Sequence, residues 1–184
     1  MHGKIVFIDT ETGGLDPAVH SLLSVGLVEW DHSEIKKTKE ILINDGELNV
    51  TEAALAINRI DPDSHKVNAI SPSKAVQEIL LFIEWTGDQQ EKITLAGHNV
   101  GFDIRFIRQL FESQHYNFDD YFSHRSIDTS SILHYLYFAG KTDTKIVGST
   151  EAFDHFDIEV RGRHTALGDA IATAELFTRL IGLQ

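Results

Sequence analysis

The feature that most constrains the fold is the N-terminal stretch, where an apolar run over residues 5–8 leads directly into Asp9 and Glu11. This run, broken by Gly13-Gly14 and Pro17, predicts a buried β-strand that ends at a turn. Side chains two residues apart on a strand share a face, so the two carboxylates should lie side by side. Because buried anions repel, the pair predicts a divalent cation with oxygen ligands, Mg²⁺ or Mn²⁺. The alternative is that Glu11 is an ordinary loop carboxylate.

The remaining sequence predicts an α/β fold with a mixed central sheet flanked by helices. Residues 4–44 have the pattern of three consecutive strands, the later two antiparallel, with Gly26 at a β-bulge. Further strands are predicted at residues 93–96 and 126–128, among helices at residues 51–59, 72–87, 102–113, 130–138, 149–156 and 165–181. This order is typical of a layered α/β protein, and residues 1–184 are expected to form a single domain.

The composition bounds the kind of partner that the chain can bind. A formal net charge of −12 argues against a long basic track for nucleic acid, so any such contact should be local and centred on bound metal. The lack of cysteine excludes disulfides and thiolate metal sites, and it suits the cytoplasmic location that we predict. No apolar run approaches the roughly 18 residues of a membrane span, so no membrane association is expected.

Two further carboxylates are predicted at the starts of helices. Asp103 lies in the first turn of its helix, where N-terminal capping favoured by the helix dipole is the alternative explanation. Asp169 lies early in the last helix, five residues after His164, and a simple surface pair would look the same. Asp128, at the end of a short strand, is expected to have a structural role or to contact the metal ligands, and not to bind metal itself.

Asp9, Glu11, Asp103 and Asp169 can all be placed at one end of one sheet. Four carboxylates are enough for two divalent ions, which is the arrangement used for in-line displacement at phosphorus. His164 is the natural general base for the attacking water, because histidine titrates near neutral pH.

Three motifs resemble, in order and spacing, those of the DEDDh exonuclease family. They are Asp9-Thr10-Glu11, Asn99-x-x-Phe102-Asp103 and His164-x-Ala166-x-x-Asp169. This DnaQ-like family includes the proofreading exonuclease subunit of bacterial DNA polymerase III. The resemblance implies an RNase H-like fold and 3′→5′ removal of nucleoside monophosphates with two Mg²⁺ or Mn²⁺ ions. It also implies that the four carboxylates are metal ligands and that His164, where the sister group has Tyr, is the general base.

The resemblance also indicates residues around the terminal nucleotide. These predicted substrate contacts are Thr10, Thr12, Leu15, Ile57, Asn58, Asn99 and Phe102. Ile57 and Asn58 occupy the place of a nucleotide-wedging segment, in which the proofreading subunit usually has histidine where Asn58 stands. Arg163, together with Arg161, is predicted from its place beside the catalytic loop to contact the phosphate backbone, and a solvated turn is the alternative.

The predicted function is therefore a metal-dependent 3′→5′ exonuclease that acts on a short single-stranded 3′ end, with DNA preferred because the first motif resembles the proofreading type. The alternatives are an exoribonuclease, a phosphodiesterase for dinucleotides and other short oligonucleotides, and a catalytically silent nucleic-acid-binding domain. Because the chain lacks a basic track with interleaved aromatic residues, low processivity or tethering by a polymerase or another protein is expected. Many members of the family form homodimers, and the sequence shows no patch that predicts or excludes one here.

Overall fold

The computed structural model describes residues 4–87 and 91–183, which contain a five-stranded mixed sheet. Its strands are β1 (Ile5–Thr12), β2 (Leu22–Asp31), β3 (Glu34–Leu42), β4 (Ile93–Gly97) and β5 (Phe122–Asp128). They lie in the order β3-β2-β1-β4-β5; β1, β2 and β3 pair antiparallel, and β4 is parallel to β1 and to β5. The predicted α/β fold with three consecutive N-terminal strands is confirmed.

Helices cover both faces of this sheet. In chain order they are α1 (Glu52–Asn58), α2 (Pro62–Asn68), α3 (Pro72–Phe82), α4 (Gly101–Ser113), α5 (Phe118–Tyr121), α6 (Thr129–Phe138), α7 (Ser149–His155) and α8 (Ala166–Ile181). None of these helices is both long enough and apolar enough to cross a membrane.

The predicted helix starts are confirmed, but one predicted helix end is wrong. Thr51 caps α1 by accepting a hydrogen bond from the Ala54 N–H, and α3 begins at Pro72 as expected. The end of α3 was placed at Gly87 on the basis that glycine commonly ends helices, whereas the helix ends before Glu84. Glu84 itself takes the left-handed conformation, with φ of 56°, so no glycine is needed there.

Two helices were not predicted from the sequence, α2 and α5. Asp61 caps α2 by accepting a hydrogen bond from the Ser64 N–H, and Pro62 takes the first helical position. Asn117 caps the single turn of α5 by accepting a hydrogen bond from the Asp119 N–H. Both helices are too short to show a clear apolar stripe, so only their capping residues distinguish them from loops.

The alternation of β1 sends its side chains to two different layers. Val6 and Ile8 are buried in the core beneath α3 and α4. Phe7 faces the opposite layer, where it packs with Ala170 and Ala174 of α8. Even-numbered residues of β1 therefore point toward α4 and odd-numbered residues toward α8. This division decides where each functional side chain at the end of the strand goes.

The prediction of a β-bulge at Gly26 is wrong. Pairing is continuous around this residue, and the register shifts lie at Glu11/Thr12 and at Glu29/Trp30. The glycine serves close packing instead, because a Cβ at this position would lie 2.2 Å from the carbonyl oxygen of Ala166 in α8. The first turn of α8 consequently rests directly on the backbone of β2.

Candidate active site

The candidate active site forms where β1 ends beneath the start of α8. Asp9 and Glu11 are the odd-numbered residues at this end of β1, and Asp169 comes from the first turn of α8. One carboxylate oxygen from each residue lies within 4.8 Å of those from the other two. The two carboxylates that we expected side by side are thus joined by a third from the far end of the chain.

The first turn of α8 is held in place by its cap and by a second glycine. Thr165 caps the helix by accepting a 3.1 Å hydrogen bond from the Gly168 N–H. A Cβ on Gly168 would lie 2.2 Å from the carbonyl oxygen of Gly162, so the preceding loop packs against the helix backbone. Together with the contact at Gly26, this packing carries Asp169 to the end of β1.

Asp103 occupies the other side of the strand end. Its Oδ1 accepts a 2.7 Å hydrogen bond from Thr10 Oγ1, and both side chains are buried. Thr10 is an even-numbered residue of β1, so it points toward α4, which carries Asp103 in its first turn. Asp103 consequently lies outside the 4.8 Å group of the other three carboxylates.

Burial and mutual repulsion make these carboxyls hard to ionise without a cation. Burial is the main cause that raises the pKa of Asp9 well above its usual value, followed by the charges of Asp103, Asp169 and Glu11. Burial and then Asp169 raise the pKa of Glu11 to about 7. Burial also raises the pKa of Asp103 to about 7, although the hydrogen bond from Thr10 opposes this shift.

Arg163 contacts the three-carboxylate group through its guanidinium, and no other arginine within residues 4–87 and 91–183 does so. Its Nη1 lies 2.6 Å from Asp169 Oδ1. The short distance makes an ion pair, but the N–H group is not aligned with the oxygen. Asp169 Oδ1 is therefore buried without accepting a hydrogen bond from any described group. The Arg163 charge balances this buried oxygen, which could serve as a ligand for a divalent cation once the guanidinium moves away.

His164 lies on the loop that leads into α8, one residue before the capping Thr165. Its backbone is in the left-handed region, with φ of 66°, and its side chain is only partly buried. The imidazole lies outside the 4.8 Å carboxylate group. His164 is therefore not part of the three-carboxylate group, and its connection to the site is its place in the chain between Arg163 and the capping Thr165.

The donor set fits a divalent cation with a preference for oxygen. Asp9, Glu11 and Asp169 offer clustered carboxylate oxygens, and no cysteine exists to supply a softer ligand. Burial and the neighbouring carboxylates raise the pKa of Asp9 and Glu11, so a cation held between them would favour their charged forms.

Comparison with known proteins then decides the family. The RNase T exonuclease family matches residues 6–177, which include every carboxylate of the candidate site. The chain belongs to this exonuclease family. The identification as a DEDDh-type 3′→5′ exonuclease, made from the three motifs, is thereby confirmed.

Two relatives show the range of activities around this exonuclease. Ribonuclease T of Wigglesworthia glossinidia brevipalpis is 26% identical over 184 residues, covering 96% of this chain and 83% of the relative. The 3′-5′ DNA exonuclease Cap18 of Escherichia coli is 28% identical over 183 residues, covering 96% of this chain and 90% of the relative.

The fold of this exonuclease also matches a solved structure. Escherichia coli exonuclease I in complex with a dT13 oligonucleotide superposes with a TM-score of 0.77 at 18% identity. The match covers 97% of this chain but 41% of the exonuclease I chain, so the chain spans about two fifths of that protein. The RNase H-like exonuclease fold predicted from the motifs is confirmed.

Four of the predicted substrate contacts are available to a ligand. Leu15 is 78% exposed and Ile57 is 62% exposed. Asn99 is exposed on the turn before α4, and Phe102 is partly exposed in the first turn of that helix. Leu15, Ile57 and Phe102 thus leave apolar surface facing solvent.

Three other predicted contacts are engaged within the protein. Thr10 is bonded to Asp103, and Thr12 Oγ1 donates a 2.7 Å hydrogen bond to the Gly14 carbonyl. Asn58 is 6% exposed and donates from Nδ2 to the Thr12 carbonyl at 3.3 Å. The side chain of Asn58 therefore fastens the end of α1 to the end of β1, which positions the neighbouring Ile57.

Asp128 stays outside the carboxylate group, and its carboxylate connects loops instead. Its Oδ1 accepts hydrogen bonds from the Asn99 N–H at 2.7 Å and from the Ser130 N–H at 3.0 Å. Its Oδ2 accepts a 2.9 Å bond from Ser131 Oγ. These bonds hold the turn that carries Asn99 against the start of α6, which agrees with a supporting role for Asp128.

The main features that sequence reasoning missed are the contacts of Arg163. We expected this arginine to face a phosphate backbone, whereas the structure turns it toward Asp169 and the start of α7. The only signal in the sequence was its position next to His164. No local pattern indicates that α7 would supply the partners of this side chain.

Proposed function

We propose that this exonuclease releases nucleoside 5′-monophosphates from the 3′ end of single-stranded nucleic acid, with DNA preferred over RNA. Asp9, Glu11, Asp103 and Asp169 would hold two Mg²⁺ or Mn²⁺ ions. The observation that carries the proposal is the group of three carboxylates within 4.8 Å, of which Asp169 has a buried oxygen that accepts no hydrogen bond among the described residues.

In the proposed reaction, His164 takes a proton from the water that attacks the terminal phosphorus. The water oxygen bonds to this phosphorus, the bond to the 3′ oxygen of the preceding nucleotide breaks, and that oxygen takes a proton from solvent water to become the new 3′-hydroxyl, while His164 releases its proton to solvent. When bound, two divalent ions supply positive charge to the attacking and leaving oxygens. The partly exposed position of His164 on the loop beside α8 supports this role.

The preference for DNA has support from the motifs and from one relative. Asp9-Thr10-Glu11 resembles the proofreading type, and Cap18 is named as a DNA exonuclease. The relation to ribonuclease T keeps an exoribonuclease as the second candidate. Leu15 and Ile57 offer apolar contacts that would suit the base and sugar of either nucleic acid.

The surroundings of the site support a short substrate contact. With a net charge of −12, the chain has little cationic surface for a long strand, so tethering by a polymerase or another protein, or a homodimer, would supply processivity. We propose that residues 1–184 act as one exonuclease domain in the cytoplasm.

The test uses 5′-labelled single-stranded DNA and RNA of matched sequence, from dinucleotides to 20-mers, with Mg²⁺ or Mn²⁺. Wild type is compared with Asp9→Asn and His164→Ala. Glu175→Gln is the matched control, because Glu175 is exposed on the same helix as Asp169. We expect a ladder that shortens from the 3′ end, retained in Glu175→Gln and reduced at least about 100-fold in the two site variants.

Each alternative gives a different pattern in this experiment. Faster degradation of RNA than of DNA would assign the exoribonuclease activity. Cleavage that is confined to the shortest oligonucleotides would assign the phosphodiesterase. Binding without cleavage, unchanged by Asp9→Asn, would leave a silent nucleic-acid-binding domain and contradict the proposal.

A further inference from the structure

Arg163 is held by partners on two sides. Its Nη1 lies 2.6 Å from Asp169 Oδ1, while Nη2 donates to Thr150 Oγ1 at 2.6 Å and to Ser149 Oγ at 3.2 Å. The guanidinium carbon also lies 5.3 Å from the centre of the Phe153 ring. All three partners other than Asp169 belong to α7, so one side chain joins this helix to the carboxylate group.

The contacts of Arg163 with α7 and with Asp169 differ in their hydrogen-bond geometry. Toward α7 the guanidinium makes two hydrogen bonds and stacks near an aromatic ring, which fixes its position. Toward Asp169 it makes a close ion pair that lacks an aligned hydrogen bond, and Oδ1 is left unsatisfied. The contact with Asp169 is therefore the one that a stronger cation can replace without disturbing the anchor on α7.

The charge of Arg163 acts on the whole carboxylate group. Its guanidinium contacts Asp169, and one oxygen of Asp169 lies within 4.8 Å of oxygens of Asp9 and Glu11, so the positive charge lies close to all three. Its side chain is 26% exposed and that of Asp169 is 12% exposed, so water screens the pair only in part. In the metal-free protein, Arg163 thus supplies part of the positive charge that the clustered carboxylates need.

We propose that Arg163 is a positioning residue that holds Asp169 as a resident counter-cation and yields this carboxylate to a divalent ion. The inference rests on the proposed metal-dependent function and assigns the residue that the metal must displace. Arg163 keeps its bonds to Ser149 and Thr150 during the exchange, so the adjacent His164 stays beside the site.

Whether removal of the Arg163 side chain tightens or weakens metal binding distinguishes this role from a purely structural one. A side chain that only supports the ligands would weaken metal binding when removed. A competing cation would have the opposite effect, because its removal leaves Asp169 free for the metal. The metal-free protein should at the same time lose stability, since the repulsion among Asp9, Glu11 and Asp169 is then less compensated.

The experiment titrates Mn²⁺ into metal-free wild type, Arg163→Gln and Arg163→Lys and follows the melting temperature and the heat of binding. Arg161→Gln is the matched control, because it removes the same charge from a side chain that is 88% exposed on the same segment. We expect Arg163→Gln to lower the metal-free melting temperature and to tighten Mn²⁺ binding about threefold to tenfold. Arg161→Gln should bind Mn²⁺ as wild type does.

Arg163→Lys keeps the charge without the forked geometry, and it is expected to lie between wild type and Arg163→Gln. If Arg163→Gln does not fold, Arg163→Met replaces it, because it removes the charge while keeping an aliphatic side chain to pack near Phe153, and it should tighten Mn²⁺ binding in the same direction. If the wild-type protein binds Mn²⁺ and these variants bind it no more tightly, the proposed role of Arg163 is overturned and the proposed metal site is not. A wild type that does not respond to Mn²⁺ would overturn the proposed metal site itself.

Discussion

Thr10 and Asp103 are joined by a 2.7 Å hydrogen bond that links the functional end of β1 to the first turn of α4. Thr10 is 8% exposed and Asp103 is 5% exposed, so this bond forms away from solvent. It ties Asp103 to the strand that carries Asp9 and Glu11, although those two side chains leave the strand on the face opposite to Thr10. The position of the fourth carboxylate thus depends on a hydroxyl group, not only on its own helix.

Thr10→Val should destabilise the protein by about 1–3 kcal/mol, because it removes the only hydroxyl donor that Asp103 has within the described chain. It should also raise the pKa of Asp103 above about 7, since the bond from Thr10 now opposes that rise. Chemical denaturation at pH 8 measures the loss of stability. Thr10→Ser keeps the donor and is the control, so equal losses in both variants would show that the hydroxyl does not matter.

The metal-free protein should become less stable as the pH rises from about 4 to about 7. Asp9, Glu11 and Asp103 have raised pKa values when folded, so in this range the folded state retains protons that the unfolded state has released. More protons bound to the folded state means that stability falls with pH. The lowered pKa of His98 gives an opposite slope near pH 6. The exposed Glu84, with a pKa of about 2, gives a small opposite slope below about pH 5.5, because the unfolded state binds its proton there while solvent screens the folded pair.

Asp9→Asn isolates the carboxylate contribution, because it leaves His98 unchanged. The variant should melt at a higher temperature than wild type at pH 8 in a chelating buffer and should show a flatter dependence on pH. Glu175→Gln, on the exposed side of α8, serves as the control and should keep the wild-type slope. A melting temperature of Asp9→Asn at or below that of wild type at pH 8 would contradict the repulsion described for this site.

Gly26→Ala should destabilise the protein by at least about 3 kcal/mol and weaken Mn²⁺ binding together with stability. The new Cβ would lie 2.2 Å from the carbonyl oxygen of Ala166, which is backbone and cannot rotate away. The first turn of α8, and Asp169 with it, must then move from the sheet.

Gly101→Ala provides the control for Gly26→Ala, since a Cβ at Gly101 meets no atom within 4 Å. In α4 it should be neutral or stabilising by up to about 1 kcal/mol. Thermal unfolding and Mn²⁺ titration of both variants measure the difference. Equal stability of the two variants would show that α8 tolerates displacement from β2.

Ile57→Ala and Leu15→Ala should lower kcat/KM on single-stranded DNA about tenfold, the value of burying one aliphatic side chain against a ligand. Both side chains are already exposed, so the free energy of unfolding should change by less than about 0.5 kcal/mol. Leu81→Ala is the control, because Leu81 is 69% exposed on α3. Wild-type activity in both site variants would exclude contact of these residues with the substrate.

Local sequence patterns predicted the first strand, the shared face of its carboxylates and the helix starts. The apolar run over residues 5–8 predicted β1, and the residue spacing put Asp9 and Glu11 on one face. The capping signal at Thr51 and the helix start at Pro72 were read correctly for the same reason. In each case the deciding interaction joins residues within a few positions of one another, so the sequence itself contains both partners.

Only the tertiary structure decided how these pieces meet. Strand alternation directs Thr10 to Asp103 and leaves Asp9 and Glu11 for Asp169, but the identity of the covering helix on each face depends on packing. The close approach of α8 explains Gly26, and the position of α7 gives Arg163 its hydrogen bond to Thr150.

The physical reason is the distance along the chain between the partners. A glycine, an arginine or a buried asparagine such as Asn58 has the same local pattern whether it faces solvent or a distant backbone. Burial and close packing select among these outcomes only after the sheet and helices have come together. The sequence therefore predicted the strands, the helices and the candidate site residues, whereas the long-range partners of those residues depended on the fold.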